Sequence, residues 1–190
     1  MDFDELEREF YDDLNGNIVS VSEANDGVSI VFKCDDWKDN SASLLFTITC
    51  SQVVESTAKP SPTGLIKRTN DHPLLWHHNE AWADVYFSSI PKNEFEVLGH
   101  LYTTHSQLFK SWRNPSTYIH ATDEFLRAGN GLLAKGPIKA IEAYQNAVTQ
   151  FTRCSIISAY TQAGGYILLL FDECYVICRS VSLFESTGNA

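Results

Sequence analysis

Val28-Ser29-Ile30-Val31-Phe32-Lys33-Cys34 and Leu44-Leu45-Phe46-Thr47-Ile48-Thr49-Cys50 are the two stretches whose reading decides the fold. In each, an apolar side chain stands at every second position: Val28, Ile30, Phe32 and Cys34 in the first, Leu44, Phe46, Ile48 and Cys50 in the second. Successive side chains of a strand point to opposite faces, so this spacing predicts two strands that each press one face into a core. Paired as a hairpin, Cys34 lies near Leu44 and Cys50 near Val28. The two sulfurs then stand six residues apart along the strands, roughly 20 Å, which bars a disulfide between them.

Working outward, Asn17–Glu23 reads as a strand that reaches Val28–Cys34 through Ala24-Asn25-Asp26-Gly27, a tight-turn signal. Leu44–Val54 follows the polar loop Asp35–Ser43, completing an antiparallel meander. Upstream, Phe3, Leu6, Phe10 and Leu14 recur at helical spacing among carboxylates, which predicts an acidic helix with a narrow apolar stripe, ended by Asn15-Gly16. Downstream, Ser56–Thr63 carries Pro60 and Pro62 and reads as a loop inside the domain. Leu74–Trp76 and Ala81–Ser88 read as strands. Phe95, Leu98, Tyr102, His105, Phe109 and Trp112 follow a 3-4-3-4-3 spacing, which predicts a helix opened near Pro91 and packed on the sheet. Thr122-Asp123-Glu124 caps a short helix that stops before Gly129, and Gly136-Pro137 opens another through Ile138, Ile141, Tyr144, Val148 and Phe151. Cys154–Tyr160, Tyr166–Phe171 and Tyr175–Phe184 are strands, the middle one internal because its apolar run is unbroken.

Strands therefore come in blocks rather than alternating with helices. That order predicts an α+β fold, a largely antiparallel sheet of meanders covered by helices, with an acidic N-terminal helix, over a single domain 1–190. Composition agrees with a packed core: 44% of the 190 residues are hydrophobic, 12% aromatic and only 20% charged, which excludes disordered and collagen-like chains. Tyr166–Phe171, the longest apolar run, is far short of the ~20 residues of a membrane span. The opening Met1-Asp2-Phe3-Asp4-Glu5 is acidic where targeting signals are basic, so a cytoplasmic protein is expected.

Charge narrows the function classes. The formal net charge is −10, and residues 1–55 hold 13 Asp/Glu against 3 Lys/Arg, whereas residues 56–190 hold 11 of each. A negative field of this kind repels phosphate backbones and anionic lipid, so neither direct nucleic-acid binding nor membrane binding is expected, while a basic protein would be attracted. Five cysteines, an odd count without a C-x-x-C pair, suit a reducing compartment and indicate neither a zinc knuckle nor a redox motif. They read as small buried hydrophobes.

Catalytic patterns are missing. Gly129-Asn130-Gly131 with Gly136 lacks the Lys and the Ser/Thr of a phosphate loop, and G-x-S-x-G and H-E-x-x-H do not occur. His100 and His105 are about 140° apart around a helix axis, so they do not converge on one metal. His105 falls in the apolar stripe and reads as a satisfied core histidine. No metal and no cofactor is expected, and no feature of the sequence sets an oligomeric state.

Two surfaces remain. If Trp76–Tyr86 is extended, one face presents Trp76, His78, Glu80, Trp82, Asp84 and Tyr86, an interleaving of aromatic and polar groups that resembles binding hot spots. The other is the acidic end, with Glu5, Glu9 and Asp12 on the predicted helix. The expected function is thus a non-catalytic cytoplasmic interaction protein whose acidic N-terminal part docks a basic protein partner, of inhibitor, adaptor or immunity type. The alternative is a small-molecule enzyme or ligand-binding module with a pocket beside Trp76–Tyr86 and donors such as His72, His78 and Arg113.

Overall fold

A computed structural model describes residues 3–10, 15–25, 27–36, 42–161 and 164–186. In chain order the elements are α1 (Phe3–Glu9), β1 (Gly16–Ala24), β2 (Gly27–Asp35), β3 (Ser43–Ser51), β4 (Glu55–Ser56), β5 (Ser61–Thr63), β6 (Ile66–Thr69), α2 (Pro73–Asn79), β7 (Trp82–Phe87) and α3 (Glu94–Phe109). After a 3-10 turn at Pro115–Thr117 come α4 (Asp123–Ala128), β8 (Gly131–Pro137), α5 (Ile138–Val148), β9 (Cys154–Tyr160), β10 (Ile167–Phe171), β11 (Tyr175–Cys178) and β12 (Ser180–Ser186). Every strand pairing is antiparallel, and the fold is α+β. The chain divides into two compact units, residues 1–71 with 165–190, and residues 72–164.

Unit 1 has a five-stranded sheet, β12-β3-β2-β1-β5, and a four-stranded sheet, β4-β11-β10-β6. The hairpin register follows from the alternation: Val28 opposes Cys50, Ile30 opposes Ile48, Phe32 opposes Phe46 and Cys34 opposes Leu44. Those buried side chains share one core with Ile66, Leu169, Phe171 and Val176 of the second sheet, and with Phe3, Leu6 and Phe10. The middle run is internal, as its unbroken apolar character requires, with β10 between β11 and β6. Ser56–Thr63 differs from the expected loop: Ser61–Thr63 pairs with Gly16–Ile18 as an edge strand, where Pro62 needs no N–H for the ladder. Tyr175–Phe184 is two strands, β11 and β12, assigned to different sheets. Gly16 does not end a helix but opens β1. A Cβ there would stand 2.5 Å from the Phe10 ring and 2.7 Å from the Thr63 carbonyl, so only glycine lets them approach. Leu14 lies outside the described residues.

Unit 2 is a three-stranded sheet, β8-β7-β9, with α3 and α5 packed together and α5 laid against all three strands. Ala83, Val85 and Phe87 of β7 are buried, and α5 packs against this strand. Three expectations are corrected here. Leu74–Trp76 is not a strand but part of α2. Pro73 suits the first turn, His72 Nδ1 accepts from the Leu74 N–H at 3.3 Å, and the adjacent Leu74 and Leu75 are both buried, which a strand with one wet face would not allow. The buried stripe of α3 is Val97, Leu101, His105 and Phe109, whereas Phe95 is 64% and Tyr102 45% exposed, Leu98 is half-buried and Trp112 lies past the helix end. Four-residue steps of smaller side chains won the interface over the 3-4 pattern of large aromatics. Finally, β8 was not expected, because Gly131, Gly136 and Pro137 all signal turns. Gly136 is instead demanded by packing, since a Cβ would stand 2.7 Å from the Tyr118 ring.

Candidate functional site

The six residues expected on one extended face are split by the α2 helix. Trp76 and His78 ride on α2, Glu80 is its C-terminal cap, and Trp82, Asp84 and Tyr86 line one face of β7. The cap residue Glu80 donates its N–H to the Trp76 carbonyl at 3.1 Å and pairs through its carboxylate with Lys139 Nζ at 2.5 Å. Lys139 also stands 5.8 Å over the Trp76 ring, so one ammonium ties α5 to both ends of the α2 turn. The helix C-terminus is thereby pinned by a cation, which its dipole favours.

On β7 the alternation reads as the sequence predicts. Trp82, Asp84 and Tyr86 are half-buried at alternate positions of the strand, and register sets Asp84 between Lys135 of β8 and Ile157 of β9. Asp84 Oδ1 is buried with Lys135 Nζ at 3.7 Å, and Oδ2 accepts from the Tyr86 hydroxyl at 3.4 Å. Trp82 stacks on Tyr160 (centroids 6.2 Å, 12° between planes), meets the His77 ring at 5.0 Å edge-on, and donates its indole N–H to the His77 carbonyl at 3.2 Å. His77 is hydrogen-bonded through Nδ1 to the Tyr118 hydroxyl at 3.0 Å. Tyr118 is fully buried, so this pair orients rings rather than offering solvent an acid or a base.

His105 is the satisfied core histidine that its place in the stripe implies. Its Nε2 lies 2.8 Å from the Arg113 carbonyl, which only accepts, so Nε2 carries the proton. Nδ1 then accepts from the Tyr144 hydroxyl at 2.7 Å. Burial holds the His105 pKa below its ordinary value, and burial raises that of Tyr144. Sequence reasoning missed Tyr118, Tyr144 and Lys139 as partners; Tyr144 at helical spacing was legible as core, but nothing local ties it to His105, 39 residues away.

In unit 1, α1 buries Phe3 and Leu6, Phe10 is buried just beyond it, Asp4 is exposed and Glu7 is half-buried. Asp4 forms an ion pair with Arg68, whose guanidinium also sits 5.2 Å over the Phe3 ring. Arg8 pairs with Glu9 at 3.1 Å, Glu5 and Glu9 are half-buried, and Asp12 lies outside the described residues. The thiols do not reach the reactive range by exposure. Burial, with Asp35 and Asp36 nearby, pushes Cys34 up to about 12. Cys50 and Cys178 share a thiol–thiol hydrogen bond, which raises the first and lowers the second. Among the described residues no group of three or more His, Cys, Asp or Glu is placed to hold a metal ion, and no helix is long and apolar enough to cross a membrane.

No protein-family model, no curated protein and no solved structure matches the chain.

Proposed function

We propose that the protein is a non-catalytic interaction protein of the cytoplasm, its thiols reduced, whose acidic N-terminal part docks a basic protein partner as inhibitor, adaptor or immunity-type proteins do. One observation carries this reading: the entire charge imbalance of the chain falls in residues 1–55, where buried Phe3 and Leu6 anchor α1 and its carboxylates Asp4, Glu5, Glu7 and Glu9 are exposed or half-buried. Carboxylates fixed in this way hold a negative field in place instead of letting it average over a loose segment, and such a field steers a basic surface toward the site. A ligand-binding module beside Trp76–Tyr86 is less well supported, because Glu80 with Lys139 and His77 with Tyr118 already satisfy one another.

The test is affinity capture at low and high salt to identify the partner, followed by association kinetics with the triple variant E5Q/E9Q/D12N. The triple change removes three negative charges and leaves Phe3, Leu6 and Phe10 in place. The expected result is an association rate lowered severalfold at low salt with little change in the dissociation rate, the difference fading as salt screens exposed charges beyond about 8 Å. An on-rate indifferent to both mutation and salt would remove the acidic face from the function.

A further inference from the structure

Cys50 closes the alternating apolar set of β3, and Cys178 is the last residue of β11, in which Tyr175, Val176, Ile177 and Cys178 are all buried. A single residue, Arg179, separates β11 from β12, so the chain changes sheet at this point. Its N–H donates to the Ser51 carbonyl at 3.1 Å, and the register that follows sets Ser180 opposite Ser51 and Val181 opposite Cys50. Each of the two cysteines is therefore next in sequence to a residue of the same backbone hydrogen bond. Both side chains are fully buried in the core that the two sheets share, and their thiols are hydrogen-bonded to each other.

The other three cysteines are placed differently. Cys34 opposes Leu44 while Cys50 opposes Val28, so these two stand at opposite ends of the β2–β3 ladder. Cys174 has the Ser61 side chain and the Lys59 backbone as hydrogen-bond partners, and the Cys154 thiol donates to the Thr152 carbonyl at 3.8 Å. A disulfide needs Cα atoms within about 7 Å and sulfurs that face one another. Cys50 and Cys178 are the pair that the passage from one sheet to the other draws together.

We propose that Cys50 and Cys178 form an oxidative modification site, closed by hydrogen peroxide into a disulfide that joins the two chain segments of unit 1. No carboxylate of the acidic face takes part. β12 is the outer strand of its sheet, so its local opening uncovers one flank of Cys50 and leaves the β2–β3 pairing in place. The hydrogen bond from Cys50 makes Cys178 the easier of the two to deprotonate. Its thiolate attacks one oxygen of peroxide, the O–O bond breaks, and the departing hydroxide takes up the thiol proton as water, leaving a sulfenic acid. Cys50 Sγ then attacks the Cys178 sulfur; the S–S bond forms, the S–O bond breaks, and hydroxide carries off the Cys50 proton as a second water. The sulfurs lose two electrons, and one peroxide is reduced to two waters. Unit 1 is built from residues 1–71 and 165–190, which only non-covalent pairing holds together in the reduced protein. A bridge from Cys50 to Cys178 fastens one segment to the other and closes a long loop in the unfolded chain, the circumstance in which a disulfide restricts that chain most.

The test treats the native full chain with hydrogen peroxide, then blocks, unfolds and counts the thiols, and maps the cysteine peptides by mass spectrometry. The expected result is that two of the five thiols disappear, that the Cys50 and Cys178 peptides are recovered joined and lighter by two hydrogens, and that dithiothreitol restores both. The oxidised chain is expected to unfold in urea at a midpoint raised by about 2 M over the reduced one. C178A removes the bridge and the shift, whereas C34A keeps both; the wild-type mapping stands even where C178A fails to fold. Five thiols surviving peroxide overturn the proposal, and so does a bridge to any other cysteine or a sulfinic acid on one cysteine without a bridge. A Cys50–Cys178 bridge that leaves the urea midpoint unmoved overturns its role in fastening unit 1.

Discussion

Unit 1 has 17 Asp/Glu against 7 Lys/Arg and four of the five cysteines, whereas unit 2 has 7 of each charge and all six histidines. The two also solve the core problem differently. In unit 1 two sheets and one short helix meet through aliphatic chains, phenylalanines and thiols. In unit 2, helices lie on a small sheet, and buried polar groups are threaded through the packing: His105 with Tyr144, His77 with Tyr118, Thr152 with Ser89. A core of hydrocarbon and thiol is indifferent to a proton near neutrality. A core that relies on a neutral imidazole is not.

The largest effect that separates the units is a cavity. Leu101 is fully buried in the α3 stripe, so L101A is expected to cost about 2–5 kcal/mol. Hydrogen exchange resolved by peptide shows whether the loss stays in residues 72–164; equal acceleration throughout the chain would break the picture of two cores. L98A, at a half-buried position, serves as the milder control.

Y144F comes next. It keeps the ring and removes the hydroxyl that Nδ1 of His105 accepts from, leaving a buried acceptor unsatisfied at an expected cost of about 1–3 kcal/mol in urea unfolding. A neutral outcome would mean that this bond adds nothing beyond packing.

The smallest effect is that of pH. Because burial depresses the His105 pKa, the unfolded chain takes up its proton first as pH falls through about 6.5, so it binds more protons than the native state there and stability declines toward acid by up to about 1.4 kcal/mol per pH unit. Unit 1, with no histidine, has no matching loss in that window. Proton NMR of the His105 ring is expected to give a midpoint below 6.5, with the urea midpoint of unit 2 falling between pH 7 and pH 5.5. A His105 midpoint at or above 6.5 would dissolve this distinction between the units.

Where period and chemistry agreed locally, the structure was legible from sequence. The β2–β3 register follows from the parity of Val28 to Cys34 and Leu44 to Cys50, and α4 runs between Thr122, whose hydroxyl accepts from the Phe125 N–H at 3.2 Å, and the left-handed Gly129. The face of Trp82, Asp84 and Tyr86 was legible for the same reason. Its expected continuation to Trp76 and His78 was not, because Pro73 and His72 start a helix whose signal lies outside the aromatic pattern. β8 was hidden more deeply. Leu132 to Lys135 offer four residues between turn formers, and the bonds that make them a strand come from β7 and from Tyr118–Ala121, none of which is near in sequence.

Unit 1 is discontinuous, and Thr69 before the interruption lies opposite Leu168 after it. On the ribosome this sets a timetable. At 5–20 residues per second, synthesis of residues 72–164 holds back β10 to β12 for roughly 5–20 s. During that interval β6 lacks β10, β3 lacks β12, and Phe32, Phe46 and Ile48 wait for Leu169, Phe171 and Val176 to share their core. Unit 2, whose strands and helices are all in hand once Gly164 has emerged, can close in the meantime, so the nascent chain finishes its middle before its beginning.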